Sequence, residues 1–163
     1  MLIVPGHCVV ENDTTLAHNY FIMEITISTK NLLDDLGGQF LGECQTLEPI
    51  PPKGQLIQFV NEAYASLTTL LYRFLTPNDD AKADDSLVID EAYYFNLALT
   101  PRRGHGKMSQ IADAIHSYLI NASLGKYYLV NNLTELSNKR NAMAGNDIQM
   151  LNGLLRSKYP PSL

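Results

Sequence analysis

The feature that most constrains this fold is a helical repeat of apolar residues in two long segments. Their spacing is 4, 3, 4, 3 and 4 residues in each segment: Leu56, Val60, Ala63, Leu67, Leu70 and Phe74, then Ile111, Ile115, Tyr118, Ala122, Gly125 and Leu129. Because an α-helix turns by about 100° per residue, this spacing gathers the apolar side chains into one stripe. Ile57, Tyr64 and Leu71 widen the stripe of the first segment. Pro51 and Pro52 suit the entrance of the first helix, since a first turn leaves its amides free. Both segments are predicted to be core helices.

Two further helices are predicted. One precedes the prolines at positions 49, 51 and 52, and the other precedes Pro160 and Pro161. Ser28 or Thr29 can cap the first, because a hydroxyl accepts hydrogen bonds from the free amides of a first turn. Its stripe comprises Leu32, Leu33, Leu36 and Phe40. The stripe of the last helix comprises Leu133, Leu136, Met143, Ala144, Ile148, Leu151, Leu154 and Leu155, before Pro160 and Pro161. Asn131-Asn132 is so short a linker that the last two helices should be antiparallel neighbours.

Two short strands are predicted beside the helices, near residues 23–28 and 87–99. Ile25 and Ile27 alternate with polar residues, and Tyr93, Phe95, Leu97 and Leu99 alternate in the same way. The second segment could pair with the first, or form a hairpin that turns at Asp90-Glu91. The predicted fold class is mainly α, a helical bundle of three to four helices with a small β element.

The chain is expected to form one domain over residues 23–159, with a tail at 160–163. Residues 1–22 lack a sustained helical period and are predicted to be an N-terminal arm or extension. Met23 opens a segment that would make a normal protein start. The first 22 residues are therefore either a docking arm or an over-long gene model.

Several classes of protein are disfavoured by what the sequence lacks. Cys8 and Cys44 have no metal-ligand spacing, which argues against a zinc site or a disulfide scaffold. The N-terminus has no positive region before its apolar residues, and no apolar run reaches the roughly 20 residues of a membrane helix. We expect a soluble intracellular protein with no membrane, metal or cofactor requirement.

No catalytic motif is present, and the expectation is that the protein is not an enzyme. His7 next to Cys8 is a chance adjacency on this interpretation, because catalytic pairs face each other in a fold. His116 lies beside a core stripe, where a structural histidine is the ordinary outcome. Arg140 also lies near a stripe, and we expect it to snorkel or to pair with an acidic group.

Charge is divided unequally along the chain. Residues 1–91 contain 14 acidic and 4 basic side chains, a net charge of −10, whereas residues 92–163 contain 3 acidic and 8 basic ones, a net charge of +5. If the halves form opposite flanks, copies could meet head to tail, and such contacts close into rings or continue as filaments. The simpler alternative is that both halves only solvate the surface.

Two loops carry the most concentrated charge. The basic loop, residues 101–107, has Arg102, Arg103 and Lys107 among glycines before a helix, so it could bind phosphate, bind an acidic surface, or be a solvated connection. The acidic loop contains Asp79, Asp80, Asp84 and Asp85. Its spacing does not match a calcium-binding loop. These seven residues are the candidate interface between subunits or partners.

The order of elements resembles a known family. A start at MEITISTKNLLDDLGGQF is followed by a proline-led helix, an acidic loop, the strand YYFNLALTP, the segment IADAIHSYLINASLGKYYLVNN and a last helix ending in LLRSKYPP. This order, from about Met23 to Pro161, is similar to that of head-to-tail connectors, or neck adaptors, which are virion proteins of tailed phages and prophages.

The resemblance implies a structural role. Connectors of this kind are mostly helical and assemble as a ring, usually of twelve copies, that joins the portal protein to the tail or to a second neck protein. DNA passes through the channel without specific binding. The implied location is the neck of the virion, after assembly in the host cytoplasm, and the family has no catalytic residues to transfer.

Two alternatives come from other classes. A nucleic-acid-binding or regulatory helical module could use the basic C-terminal half, although the overall net charge of −5 argues against it. A small helical enzyme whose site is not visible in sequence is the third hypothesis.

Overall fold

A computed structural model describes residues 2–4, 21–44, 51–75, 92–99 and 107–156, and within them four helices accompany one small antiparallel sheet. In chain order the elements are β1 (Leu2–Val4), β2 (Phe21–Ser28), α1 (Thr29–Glu43), α2 (Lys53–Leu71), β3 (Ala92–Leu99), α3 (Met108–Val130) and α4 (Thr134–Leu155). The predicted fold class, a mainly α bundle with a small β element, is confirmed.

The sheet has the order β1-β2-β3. Strand β2 pairs antiparallel with β3 from Phe21 opposite Leu99 to Ser28 opposite Ala92, and β1 pairs with the other edge of β2. The pairing of the two predicted strands is therefore present, while residues 87–91, where the hairpin alternative would turn, lie outside the described residues. One face of the sheet is buried through Met23, Ile25, Ile27, Tyr93, Phe95 and Leu97.

Helix α1 begins directly after Ser28, one of the two residues predicted to cap it. Ser28 is the N-cap, and its Oγ accepts a hydrogen bond from the amide of Asn31 at 3.5 Å. The predicted stripe of this helix is buried in full: Leu32, Leu33, Leu36 and Phe40. The helix ends at Glu43, where the amide of Cys44 still donates to the carbonyl of Phe40. This end of α1 brings Glu43 to the other helices.

Helix α2 follows the two prolines as predicted, with Pro52 as its N-cap. Its stripe buries Leu56, Val60, Ala63 and Leu67, but the prediction is wrong at Leu70, which is 54% exposed. Leu71 faces the core as predicted, four residues after Leu67 and therefore nearly above it on the helix. Phe74 lies beyond the end of the helix and is half-buried.

Helices α3 and α4 form the predicted antiparallel pair. The turn between them places Asn132 at a φ of 60°, a left-handed conformation that asparagine tolerates better than most residues. Ser137 Oγ donates to the carbonyl of Gly125 at 2.9 Å. A β-carbon at Gly125 would lie 2.4 Å from Asn141 Oδ1, so any larger residue there would displace the side chain of Asn141. The α3 prediction is wrong at Leu129, which is 59% exposed near the helix end, and the α4 prediction is wrong at Met143, which is 39% exposed.

Helix α3 is the centre of the bundle. It packs against α4, α2, α1 and β2, and it buries side chains on most of its circumference. None of the described helices combines the length and apolar character needed to cross a bilayer.

Candidate functional site

The acidic and basic halves of the sequence meet inside the subunit. Among the described residues, three ion pairs join an acid from residues 1–91 to a base from residues 92–163: Lys126–Glu62, Lys139–Glu43 and Arg140–Glu43. The hydrogen bond between His116 Nε2 and Asp35 Oδ2 joins the same two halves, and a further ion pair, Lys53–Asp34, lies within the first half. Part of the charge division that suggested contacts between copies is therefore used to hold α3 and α4 against α1 and α2.

Glu43, the last residue of α1, is the centre of the most buried of these groups. Its Oε1 accepts from Lys139 Nζ at 2.8 Å, and its Oε2 accepts from Arg140 Nε at 2.9 Å and from Tyr128 Oη at 3.0 Å. Burial alone would raise the pKa of the Glu43 carboxyl. The hydrogen bonds from Lys139, Arg140 and Tyr128, with the charge of Arg140, outweigh burial and lower that pKa below its ordinary value.

Arg140 connects this group to the interior of the bundle. Its side chain is 6% exposed, and Nη1 donates to Gln39 Oε1 at 2.6 Å and to Asn121 Oδ1 at 2.7 Å. One guanidinium thus binds side chains of α1 and α3 from its position on α4. The expectation that Arg140 pairs with an acidic group is met by Glu43.

The polar chain continues from Asn121 to a second acid, Asp147. Asn121 Nδ2 donates to Asp147 Oδ2 at 2.8 Å, and Ser117 Oγ donates to the same carboxylate at 3.0 and 3.1 Å. Asp147 is 7% exposed. We call this connected set the polar seam: Gln39, Glu43, Ser117, Asn121, Tyr128, Lys139, Arg140 and Asp147.

The environment of Tyr128 shows how closely the seam is packed. Its hydroxyl also accepts from Cys44 Sγ at 3.9 Å, and its ring stacks on Phe40 with centroids 6.2 Å apart. Burial, followed by the hydrogen bond to Glu43 and the charge of that carboxylate, raises the pKa of Tyr128. The phenol therefore stays neutral and acts as a donor that fixes the carboxylate.

Two open depressions lie outside the seam. One, of about 380 Å³, is lined by Asn31, Asp34, Asp35, Asp113 and His116, and within it His116 Nε2 is 2.8 Å from Asp35 Oδ2. The other, of about 330 Å³, lies among α2, α3 and α4 and is crossed by the Lys126–Glu62 pair. No group of three or more acidic, histidine or cysteine side chains within the described ranges could hold a metal ion.

Most of the predicted interface lies outside the described residues. This applies to Arg102 and Arg103 of the basic loop and to Asp79, Asp80, Asp84 and Asp85 of the acidic loop. Lys107 is described: it is the exposed N-cap of α3 and forms no ion pair with another described residue. These seven residues therefore stay a prediction.

The sequence did contain one signal for the polar seam. Arg140, Ala144, Asp147 and Leu151 are spaced 4, 3 and 4 residues apart and are all buried in α4. Two charged residues at the spacing of a buried stripe indicate a need for buried partners. The identity of those partners, above all Glu43, depends on how the helices pack and has no local pattern.

Comparison with known proteins identified no relative of this chain. No protein-family model, no curated protein and no solved structure matches this chain.

Proposed function

We propose that this protein is a structural subunit that assembles into a ring between the portal and the tail of a tailed phage, as a head-to-tail connector in the virion neck. The proposal combines the element order of the sequence with the chemistry of the bundle. On this proposal twelve copies surround a channel through which DNA passes, and the neighbours are the portal protein and a tail or second neck protein.

A structural role is supported by the contacts that the buried charged side chains make. Arg140 and Asp147 are the two buried charged residues in the described part of the chain, and each contacts protein groups that hold helices together. An enzyme active site instead keeps polar groups free for a substrate. The polar seam gives a bundle whose helices are fixed relative to one another, which suits a subunit that must transmit force between a capsid and a tail.

The basic C-terminal half gives little support to the nucleic-acid alternative. Three of its cations, Lys126, Lys139 and Arg140, already pair with acids of the first half. A protein that grips a nucleic acid needs cations free to displace counterions from phosphates. We propose that the assembly surface of the ring lies in the charged loops, where Arg102, Arg103 and Lys107 of one subunit face acidic residues of the next.

The test is assembly of the purified full chain. Negative-stain electron microscopy over a range of concentrations, with and without purified portal protein, should show closed rings of one subunit number. Sedimentation should show these rings dissociating as salt rises from about 0.05 to about 0.5 M, because exposed charges are screened. A monomer under all conditions, portal included, would contradict the proposal.

A charge-reversal pair tests where the ring contact lies. Arg102→Glu with Arg103→Glu should block ring formation and leave the helical circular dichroism signal intact. The matched control is Lys30→Glu with Arg73→Glu, which changes the net charge equally at two exposed positions. If both double variants form rings as the parent does, the basic loop is not the contact.

A further inference from the structure

The solvent side of α4 has an unusual composition. One row of exposed residues runs along the helix opposite its buried stripe, spaced 3, 4, 3, 4, 4 and 3 residues apart: Glu135, Asn138, Ala142, Gly145, Gln149, Gly153 and Arg156. We call this row the α4 outer face. It contains opposite charges at its two ends and small or uncharged residues between them.

Charge is missing from the middle of this exposed surface. Between Lys139 and Arg156, the charged residues of α4 are Arg140 and Asp147, and both are buried. The α4 outer face itself has no charged residue between Glu135 and Arg156. A solvated protein surface typically has about 25–35% charged residues, whereas the cores of interfaces are depleted of charge. The middle of the α4 outer face shares this depletion of charge with the cores of interfaces.

The two glycines of the outer face are not required by the subunit itself. A β-carbon at Gly145 or Gly153 would meet nothing within 4 Å, unlike the one at Gly125. Glycine inside a helix costs about 0.5–1 kcal/mol relative to alanine. What a glycine adds at an exposed position is room for another backbone to approach closely.

The end charges indicate which occupant fits. Glu135 lies in the first turn of α4 and Arg156 at its C-cap, and neither forms an ion pair with another described residue. The helix dipole favours this placement in the isolated subunit. It also makes the face complementary to itself, because an antiparallel copy brings each glutamate to the arginine of its partner.

We propose that the α4 outer face binds the same face of a second copy of this chain, as an antiparallel two-fold pair. Pairing Glu135 with the second copy's Arg156 places the two-fold axis between Gly145 and Asn146, so that a glycine lies at the closest approach of the helices. Each end charge is then about 16 Å from the axis along the helix. At a crossing angle of about 20° the ends of the helices stay within reach of an arginine–glutamate pair.

This pair does not depend on the proposed ring. A ring is built from head-to-tail contacts between different surfaces, whereas the α4 pair uses one surface twice. The two contacts can exist or fail separately, and variants of α4 leave the charged loops unchanged.

The first test places a charge at the two-fold axis. Sedimentation equilibrium of the full chain should show a reversible dimer in the parent protein, and Gly145→Glu should weaken it by about 100-fold or more, because two carboxylates would meet across the axis. The control is Gly38→Glu: Gly38 is an exposed helical glycine of α1 whose β-carbon would also meet nothing within 4 Å. Circular dichroism verifies that both variants fold. A parent that lacks the dimer at about 100 µM, or a Gly145→Glu dimer of unchanged affinity, would overturn the inference.

The second test addresses the antiparallel register. Glu135→Arg or Arg156→Glu alone should each weaken the dimer by roughly tenfold, since each reversal creates two like-charge contacts per pair. The double variant Glu135→Arg with Arg156→Glu should recover the parent affinity to within about twofold. A parallel pair already has like charges opposed at both ends, so neither reversal would weaken it. Failure of the double variant to recover would sink the antiparallel arrangement.

Discussion

Arg140 Nε lies 2.9 Å from Glu43 Oε2, although 97 residues separate the two in the chain. This contact joins the end of α1 to the second turn of α4, and both side chains are largely buried, with exposures of 6% for Arg140 and 12% for Glu43. Its removal should therefore have a much larger effect than the loss of a surface ion pair.

Replacing Glu43 with glutamine should destabilise the protein by about 3–4 kcal/mol, because Arg140 would stay buried without its counter-charge. Urea denaturation followed by circular dichroism measures the free energy of unfolding. The control is Glu62→Gln, which removes the pair with Lys126 where both side chains are 50% exposed; that change should cost about 1 kcal/mol or less. Equal losses in the two variants would show that the polar seam is not a buried structural unit.

Acid should weaken the protein through the same residue. The pKa of Glu43 is lowered from its ordinary value of 4.5, so its contribution to stability is present above that value and is lost as pH falls through the lower pKa of the folded state. Thermal denaturation between about pH 6 and pH 3 should show a shallower decline for Glu43→Gln than for the parent. Parallel curves would mean that Glu43 is not linked to acid unfolding.

Alkali should ionise the buried tyrosines only as the protein unfolds. Burial raises the pKa of Tyr93, Tyr118 and Tyr128. A raised folded-state pKa gives stability that is present below the unfolded pKa of about 10 and is lost as pH rises through the folded pKa. Absorbance at about 295 nm should therefore show an ionisation phase that coincides with the loss of the circular dichroism signal, and Tyr128→Phe should reduce the amplitude of that phase. An unchanged amplitude would contradict the buried position of Tyr128.

A pair of leucines in α2 tests which side of the helix faces the core. Leu67 is 0% exposed and Leu70 is 54% exposed. Leu67→Ala should cost about 2–5 kcal/mol through lost contacts and a cavity, and Leu70→Ala should stay within about 0.5–1 kcal/mol. The midpoints of urea unfolding compare the two directly. A loss at Leu70 as large as that at Leu67 would support the original stripe, which buried both leucines, against the observed packing.

The leucine pair also shows what the sequence could predict. The existence of each described helix and the pairing of β2 with β3 were predictable, because apolar periodicity is a local signal. Leu70 was assigned wrongly because the apolar pattern admitted both Leu70 and Leu71 to the stripe, and only the packed structure shows that Leu71 is buried and Leu70 is exposed. The polar seam was mostly hidden because Glu43 and Arg140 become neighbours through tertiary packing. Arg102 and Asp79, as members of the predicted ring contact, remain open to experiment.

The connectivity of the sheet has a consequence for the order of folding. Strands β2 and β3 are neighbours in the sheet, yet α1 and α2 lie between them in the chain, so their pairing must close a long loop. By contrast, the Asn131-Asn132 turn lets α3 and α4 meet through contacts that are close in sequence. We therefore expect the amides of α3 and α4 to become protected before those of β2 and β3 in pulsed hydrogen exchange. The sheet, although it begins near the N-terminus, would then be the last part of the domain to form.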